Sequence, residues 1–279
     1  MSSDISTSSP AQTAKRQGEK VARSSGFEWL SRAGFVARAA IYLIIGVLAL
    51  ELAVGVGGKA TSQQGALQTL ARQPFGKVLL VLVIVGFAGY AAWRLTRAAL
   101  GHGPEGSDTG LDRIAALGSG VVYGGLCVIA VQVLLGATGS SAAQTHDATA
   151  NVLGWPAGTW LVGVAGAVLV GVGLYQGYRA LSHDFLEDAK VEQMSPGVKD
   201  AYAFVGAFGY LARMLVFVLV GTFLIQAAMD YDARKAIGLD GALAKVANQS
   251  FGHVALGVVA AGLIAFGLYS LADARYRRI

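Results

Sequence analysis

Charge is scarce in this chain. Only 14% of its 279 residues are Asp, Glu, Lys or Arg, while 54% are hydrophobic and mean hydropathy is +0.54. Ordinary soluble domains carry about 25% charged residues, so the composition excludes a water-soluble globule and points to lipid. Cysteine is almost missing: Cys127 stands alone, which excludes an intramolecular disulfide and leaves the thiol to act as a small hydrophobe. The histidines (His102, His146, His183 and His253) fall near or beyond helix ends and never at ligand spacing on one face, so no metal site is expected. Short two-periodic segments are also lacking, which argues against a barrel. No nucleophile–base pair or phosphate loop emerges, so neither an enzyme nor a cofactor is expected.

What the chain has is length in apolar runs. Six windows carry the hydrophobicity, near Ala33–Ala53, Lys77–Ala98, Ile114–Leu135, Gly158–Leu181, Phe204–Ala228 and His253–Ala272. Each holds about 20 residues or more, the length a helix rising 1.5 Å per residue needs to cross roughly 30 Å of hydrocarbon. Backbone groups in lipid must be satisfied internally, so the spans are helices and the fold class is all-α and polytopic.

The spans come in copies. GALQTLARQPFG (Gly65 to Gly76) returns as GALAKVANQSFG (Gly241 to Gly252), and DATANVLGWPAG (Asp147 to Gly158) keeps the proline of the first copy and the closing glycine. The chain therefore divides into a tail over 1–28 and three two-helix repeats over 29–100, 101–182 and 183–279. The tail is rich in Ser, Thr and Gln and reads as disordered. Sixteen of the 22 Lys and Arg lie in the amino-terminal segment as far as Arg38, in the second and fourth connections with the helix ends that flank them, and at the carboxyl end. Basic residues near membrane ends stay cytoplasmic, so both termini are expected on the cytoplasmic side. Two crossings per repeat then insert all three copies the same way up, about a pseudo-three-fold axis along the membrane normal. The inside bias and anionic headgroups account for the net charge of +5, and no nucleic-acid partner is expected.

Gapless alignment of the repeats exposes candidate site residues. Anchoring the odd helices on Tyr42, Tyr123 and Phe217 puts Glu51, Gln132 and Gln226 nine residues later in every copy, and matches Arg38 with Ser119 and Arg213. At 100° per residue, Arg38, Tyr42 and Gly46 share one stripe while Glu51 lies half a turn away. A carboxylate facing lipid is costly, about 2.5–3.5 kcal/mol at mid-membrane, so Glu51, Gln132 and Gln226 are expected to face the axis. There they form either a hydrogen-bonded clamp, the favoured reading, or a polar constriction in which Glu51 titrates. Arg38 and Arg213, with Arg94, Arg97 and Arg179, form a candidate cytoplasmic basic rim. Its arginines either snorkel to headgroups or line a vestibule that attracts anions or anionic lipid. On the even helices Trp93, Tyr175 and Tyr269 recur at one depth and are expected in an interfacial belt.

Smaller features complete the reading. Glycine is abundant, with small pairs at Gly120/Gly124 and Gly173/Gly177 that let helices approach. The five-residue step of Gly252, Gly257, Gly262 and Gly267 returns to no single helix face. Ala66, Leu67 and Leu70, and likewise Ala242, Leu243 and Val246, suit short helices lying at the membrane interface. The segment Ser182 to Asp200 mixes both charge signs and reads as a solvated linker, its Asp184, Glu187 and Asp188 being weak metal candidates.

The odd-helix entries RAGFVARAAIY and AFGYLARMLVF and the even-helix exits VGLYQGYRAL and FGLYSLADARYR resemble the bacterial membrane family built from three copies of domain of unknown function twelve-oh-six. The resemblance runs from about Trp29 to Arg278. It departs at Ser119, where the other copies have arginine, and at Ala115, where they have glycine. It implies six helices and a bacterial plasma membrane, and no activity or site residue. Mitochondrial carriers share only the count of three two-helix repeats, since their proline-acid-basic signature is missing here. Two classes of function remain: a non-enzymatic helical module packing against lipid, a membrane-protein partner or a second copy of itself, and a small transporter or channel with its constriction at Glu51, Gln132 and Gln226. The first is preferred.

Overall fold

The computed structural model of the protein describes residues 25–100, 110–136, 139 and 141–278. The tail expected over 1–28 lies outside the described residues as far as position 24, as does His102; residues 25–28 already belong to the first helix. The described residues form nine α-helices: α1 Ser25–Ala53, α2 Gln63–Ala71, α3 Gly76–Leu100, α4 Gly110–Leu134, α5 Ser141–Leu153, α6 Gly158–Ser182, α7 Pro196–Met229, α8 Leu239–Ala247 and α9 Gly252–Tyr276. Among the described residues there is no strand, only an isolated bridge between Ala189 and Arg277. Six helices among the described residues, α1, α3, α4, α6, α7 and α9, are long and apolar enough to cross a membrane. At 34 residues α7 is about 51 Å long and overshoots a hydrocarbon core.

Each hairpin turns the same way. The short helices α2, α5 and α8 end against the glycine that opens the next long helix. Gly76, Gly158 and Gly252 donate their amides to Gln73, Trp155 and Gln249 at 2.8, 2.9 and 2.8 Å. A Cβ on any of the three would collide with a carbonyl of the preceding short helix: Ala71, Val152 or Ala247. The repeated closing glycine is thus steric, because the chain doubles back so tightly that no side chain fits. Helices α2 and α8 do more than lie at an interface. Leu67 and Leu243 are enclosed by the bundle and belong to its main core.

Lipid offers no hydrophobic drive for helices to associate, so close packing through small residues must supply it. One contact recurs at matched positions. A Cβ at Gly46 would stand 3.0 Å from the Ala260 carbonyl, one at Gly221 2.6 Å from the Gly166 carbonyl, and the Cys127 thiol lies 3.6 Å from the Ile84 carbonyl. These contacts join α1 to α9, α7 to α6 and α4 to α3. A second recurs only twice, with Gly34 closing on Tyr90 and Gly209 on Phe266. Its counterpart, Ala115 against Val172, is not made, and both residues are exposed. The spanning helices therefore pack in the order α6, α7, α9, α1, α3, α4, and α4 and α6 share no packed face.

Helix α9 sits in the middle of that order, which explains its five-residue glycine step. Each step turns the helix by 140°, so successive glycines face alternate neighbours. Gly257 and Gly267 meet Ala53 and Leu43 of α1, while Gly262 meets Ala212 of α7. The paired glycines behave unequally: Gly173 and Gly177 pack on Phe217 and Met214, Gly120 packs on Leu95, and Gly124 faces open space. The substitution Gly221→Val should thus lower the melting temperature of the detergent-solubilised protein, by overpacking worth about 1–3 kcal/mol. Gly124→Ala should leave it level or raise it.

Candidate functional site

Polar chemistry concentrates at one end of the bundle, where α1, α3, α7 and α9 converge. Arg38 is 5% exposed and donates three hydrogen bonds of 2.9 Å, through Nε to the Ser270 hydroxyl, Nη1 to the Tyr90 hydroxyl and Nη2 to Asp273 Oδ2. Asp273 is fully enclosed. It also accepts from the Tyr202 hydroxyl at 2.7 Å and from Arg277 at 3.4 Å. The rings of Phe35, Tyr90 and Phe266 lie 4.9, 5.3 and 5.1 Å from the Arg38 guanidinium. Arg38 therefore does not snorkel: its helix turns it into the bundle, where a carboxylate answers it.

Sequence reading missed Asp273. Counting from the entry glycine of each even helix, it occupies the position that is Arg97 in the first hairpin and Arg179 in the second. A sign reversal at one matched position was the signal that would have found it. Arg277 carries the network on to Asp188, at 2.7 Å, and Arg179 reaches the same carboxylate oxygen at 2.6 Å. Burial alone would raise the Asp188 carboxyl, but Arg277 and Arg179 hold it well below the usual carboxylate range. Burial likewise opposes the charge on Arg277, and Asp188 with Asp273 holds it there. The segment expected as a solvated linker is thus a docked strap. Phe185 and Ala189 are fully buried, and Lys190 donates its amide to the Tyr276 carbonyl at 2.7 Å. Asp188 serves in ion pairs, and no group of His, Cys, Asp and Glu suited to a metal occurs among the described residues.

Arg213, the match of Arg38 in the third hairpin, is left without such an answer. It is half-buried, its Nε is enclosed without an acceptor, and it has no ion pair or hydrogen bond among the described residues. Three rings surround it: Phe266, Phe217 and Tyr42 at 4.3, 5.1 and 5.3 Å. It lies on the wall of a cavity of about 140 Å³ shared with Tyr42, Leu169, Phe217 and Leu263. Sixteen residues separate it from Met229, which places it about 24 Å below the far end of α7. The remaining members of the expected rim go separate ways. Arg94 donates to the Tyr90 hydroxyl at 3.0 and 3.1 Å, Arg97 lies over the Trp93 ring, and Arg179 pairs with Asp188.

Glu51, Gln132 and Gln226, expected as a cluster, exchange no side-chain hydrogen bond among the described residues. Gln132 and Gln226 are exposed, Glu51 is half-buried, and none of them lines the cavity beside Arg213 or the wider one against Leu126 and Ile129. Tyr42 and Tyr123 are 7% exposed and Phe217 lines the cavity, so the aromatic stripe takes the interior. Residues half a turn from that stripe must face outward. Near the end of α1 the Glu51 carboxylate can reach the interface, which removes the cost that argued for an inward face. The expected aromatic belt is also divided: Trp93 and Tyr269 are 2% and 1% exposed, packed on Phe35 and Phe185, while Tyr175 is 38% exposed.

These features define an all-helical protein with six helices suited to crossing a membrane, organised around buried charge. The family model described as Domain of Unknown Function (DUF1206) matches the chain three times, over residues 33–110, 114–183 and 208–277, and the protein belongs to this family. It is similar to the uncharacterized protein YxxB of Bacillus subtilis (strain 168), at 34% identity over 253 residues that cover 89% of this chain and 90% of that protein. No solved structure matches the chain.

Removing the carboxylate at the centre of the network leaves two guanidiniums buried without it. Asp273→Asn should cost about 3–5 kcal/mol, read as a lowered melting temperature in detergent. The pH dependence follows from Asp188, whose folded carboxyl titrates below its unfolded value of about 3.9. Its stabilisation is complete above about pH 4 and is lost as pH falls below that value. Melts between pH 7 and pH 3 should show this acid limb, and Asp188→Asn should flatten it.

Proposed function

We propose that the protein is a non-enzymatic membrane module of the bacterial plasma membrane, its termini cytoplasmic and its three hairpins set the same way up about a pseudo-three-fold axis. It receives a membrane partner at the seam between α4 and α6. The recurrent contacts of Gly46, Cys127 and Gly221 support the axis, and the distribution of Lys and Arg supports the orientation.

The seam carries the functional reading. Closed hairpins oppose Gly34 to Tyr90 and Ala37 to Gly86 in the first copy, and Gly209 to Phe266 and Ala212 to Gly262 in the third. At the seam the matched pairs are Ala115 with Val172 and Gly118 with Val168. Val168 and Val172 are 57% and 41% exposed, and a Cβ at Gly118 would meet nothing. Both seam faces keep small residues matched to larger ones, so they are built for packing and are left free to accept it. The polar constriction that favoured transport draws no support, because Gln132 and Gln226 are exposed and neither they nor Glu51 line the cavity beside Arg213.

Proteoliposomes test the reading. Vesicles holding the full chain should keep proton, potassium and chloride gradients as long as protein-free vesicles do. A flux above that baseline which falls with Glu51→Gln would overturn the module in favour of transport.

A further inference from the structure

We infer that the cavity beside Arg213 binds the anionic head of a membrane amphiphile, a carboxylate or phosphate carried on an apolar tail. The inference rests on the open seam of the module reading and names the chemistry of one partner.

Among the described residues, Arg213 lacks the acceptors that Arg38 has. Helix α1 meets α9 and α3 as α7 meets α6 and α9, since Gly46 on Ala260 matches Gly221 on Gly166, and Gly34 on Tyr90 matches Gly209 on Phe266. Each acceptor of Arg38 therefore has a counterpart beside Arg213. Ser270 becomes Gln176, Tyr90 becomes Phe266, which has no hydroxyl, and Asp273 becomes Arg179, which reverses the charge. Arg179 turns away to Asp188. Gln176 is 6% exposed and its Oε1 has no donor among the described residues, so a second polar group is unsatisfied on the helix that faces α7. Among the described residues one intramembrane arginine thus has a complete set of acceptors and a matched one has none. A guanidinium at this depth is not left to hydrocarbon, and an acceptor from outside the chain completes it.

The cavity sets the chemistry of that acceptor. Its charged lining group is Arg213, and Tyr42, Leu169, Val216, Phe217 and Leu263 make the wall largely apolar. A hydrated inorganic ion finds one cation and no further donor of charge there, whereas an anionic head with a hydrocarbon tail satisfies both parts of the wall. A volume of about 140 Å³ takes a head and not a whole lipid. Gln63 borders both this cavity and a wider one against Leu126 and Ile129 of α4, so one side chain separates the two spaces, and a turn of Gln63 would let a tail pass towards the seam.

The full chain in maltoside detergent is to be titrated with oleate, oleyl alcohol, phosphatidylglycerol and inorganic phosphate, and the bound stoichiometry read by native mass spectrometry. One oleate or one phosphatidylglycerol should be retained per chain, the stronger of the two identifying the head, while oleyl alcohol and inorganic phosphate are not retained. Arg213→Gln should weaken retention at least tenfold without lowering the ligand-free melting temperature, and Arg213→Lys should keep part of it. Leu169→Trp, which fills the cavity and spares the arginine, should abolish it. Equal binding of acid and alcohol, or unchanged binding in Arg213→Gln, overturns the proposal. Inorganic phosphate binding as tightly as the amphiphiles does so too, since it marks a free-anion site. A melting temperature that falls in Arg213→Gln with retention unchanged makes the arginine an aromatic clamp. Lost retention in vesicles that stay sealed leaves the module reading intact, while leaking vesicles that still retain oleate count against the module alone.

Discussion

A charge inside a bilayer must be answered, and in this protein the answer given to Arg38 organises the bundle. Asp273, Tyr90 and Ser270 come from two other helices and converge on one guanidinium. Tyr202 brings in a fourth helix, and Arg277 hands the connection to the Asp188 strap. A buried ion pair is weak evidence for net stability, because desolvation offsets much of its Coulombic gain. Its contribution is register. Apolar helices in lipid slide and rotate at little cost, whereas donors and acceptors that have no water must line up.

The remainder of the packing is steric. Glycine and alanine let backbones approach until carbonyls touch, and the approach is repeated at Gly46, Gly221 and, with a thiol standing in, Cys127. Edge-to-face and tilted rings of Phe35, Tyr90, Trp93, Phe266 and Tyr269 then fill the volume around the ion pair. The two systems depend on each other, since the rings exclude water from the charges and the charges fix which way the rings' helices turn.

Much of this was legible in the residues. Hydrophobic length gave the six spanning helices, and the closing glycines marked where each hairpin turns. The direction of each face was not legible, because period and spacing separate Tyr42 from Glu51 by half a turn without saying which looks inward. An assumed cost for exposing Glu51 decided that point, and that cost shrinks for a carboxylate near a helix end, which can reach water. Asp273 was hidden differently: a single acid among the basic residues of the carboxyl end reads as surface charge until its burial is seen. The strap was misread for the same reason, its mixed signs being the two halves of ion pairs made with distant segments. The open seam has no local signature, because Ala115 and Val172 look as ready to pack as their counterparts.

The covalent unit and the packing unit of this protein are different. Each hairpin is one stretch of chain, yet the middle one is divided: α4 is attached to α3 and α6 to α7, with only the α5 connection between them. The molecule is therefore an unclosed band whose two ends are consecutive in sequence. Shape changes at those ends need break no packed helix pair, so any widening or narrowing of the band falls on a connection outside the spanning helices, and the Arg38 lock at its middle is left undisturbed.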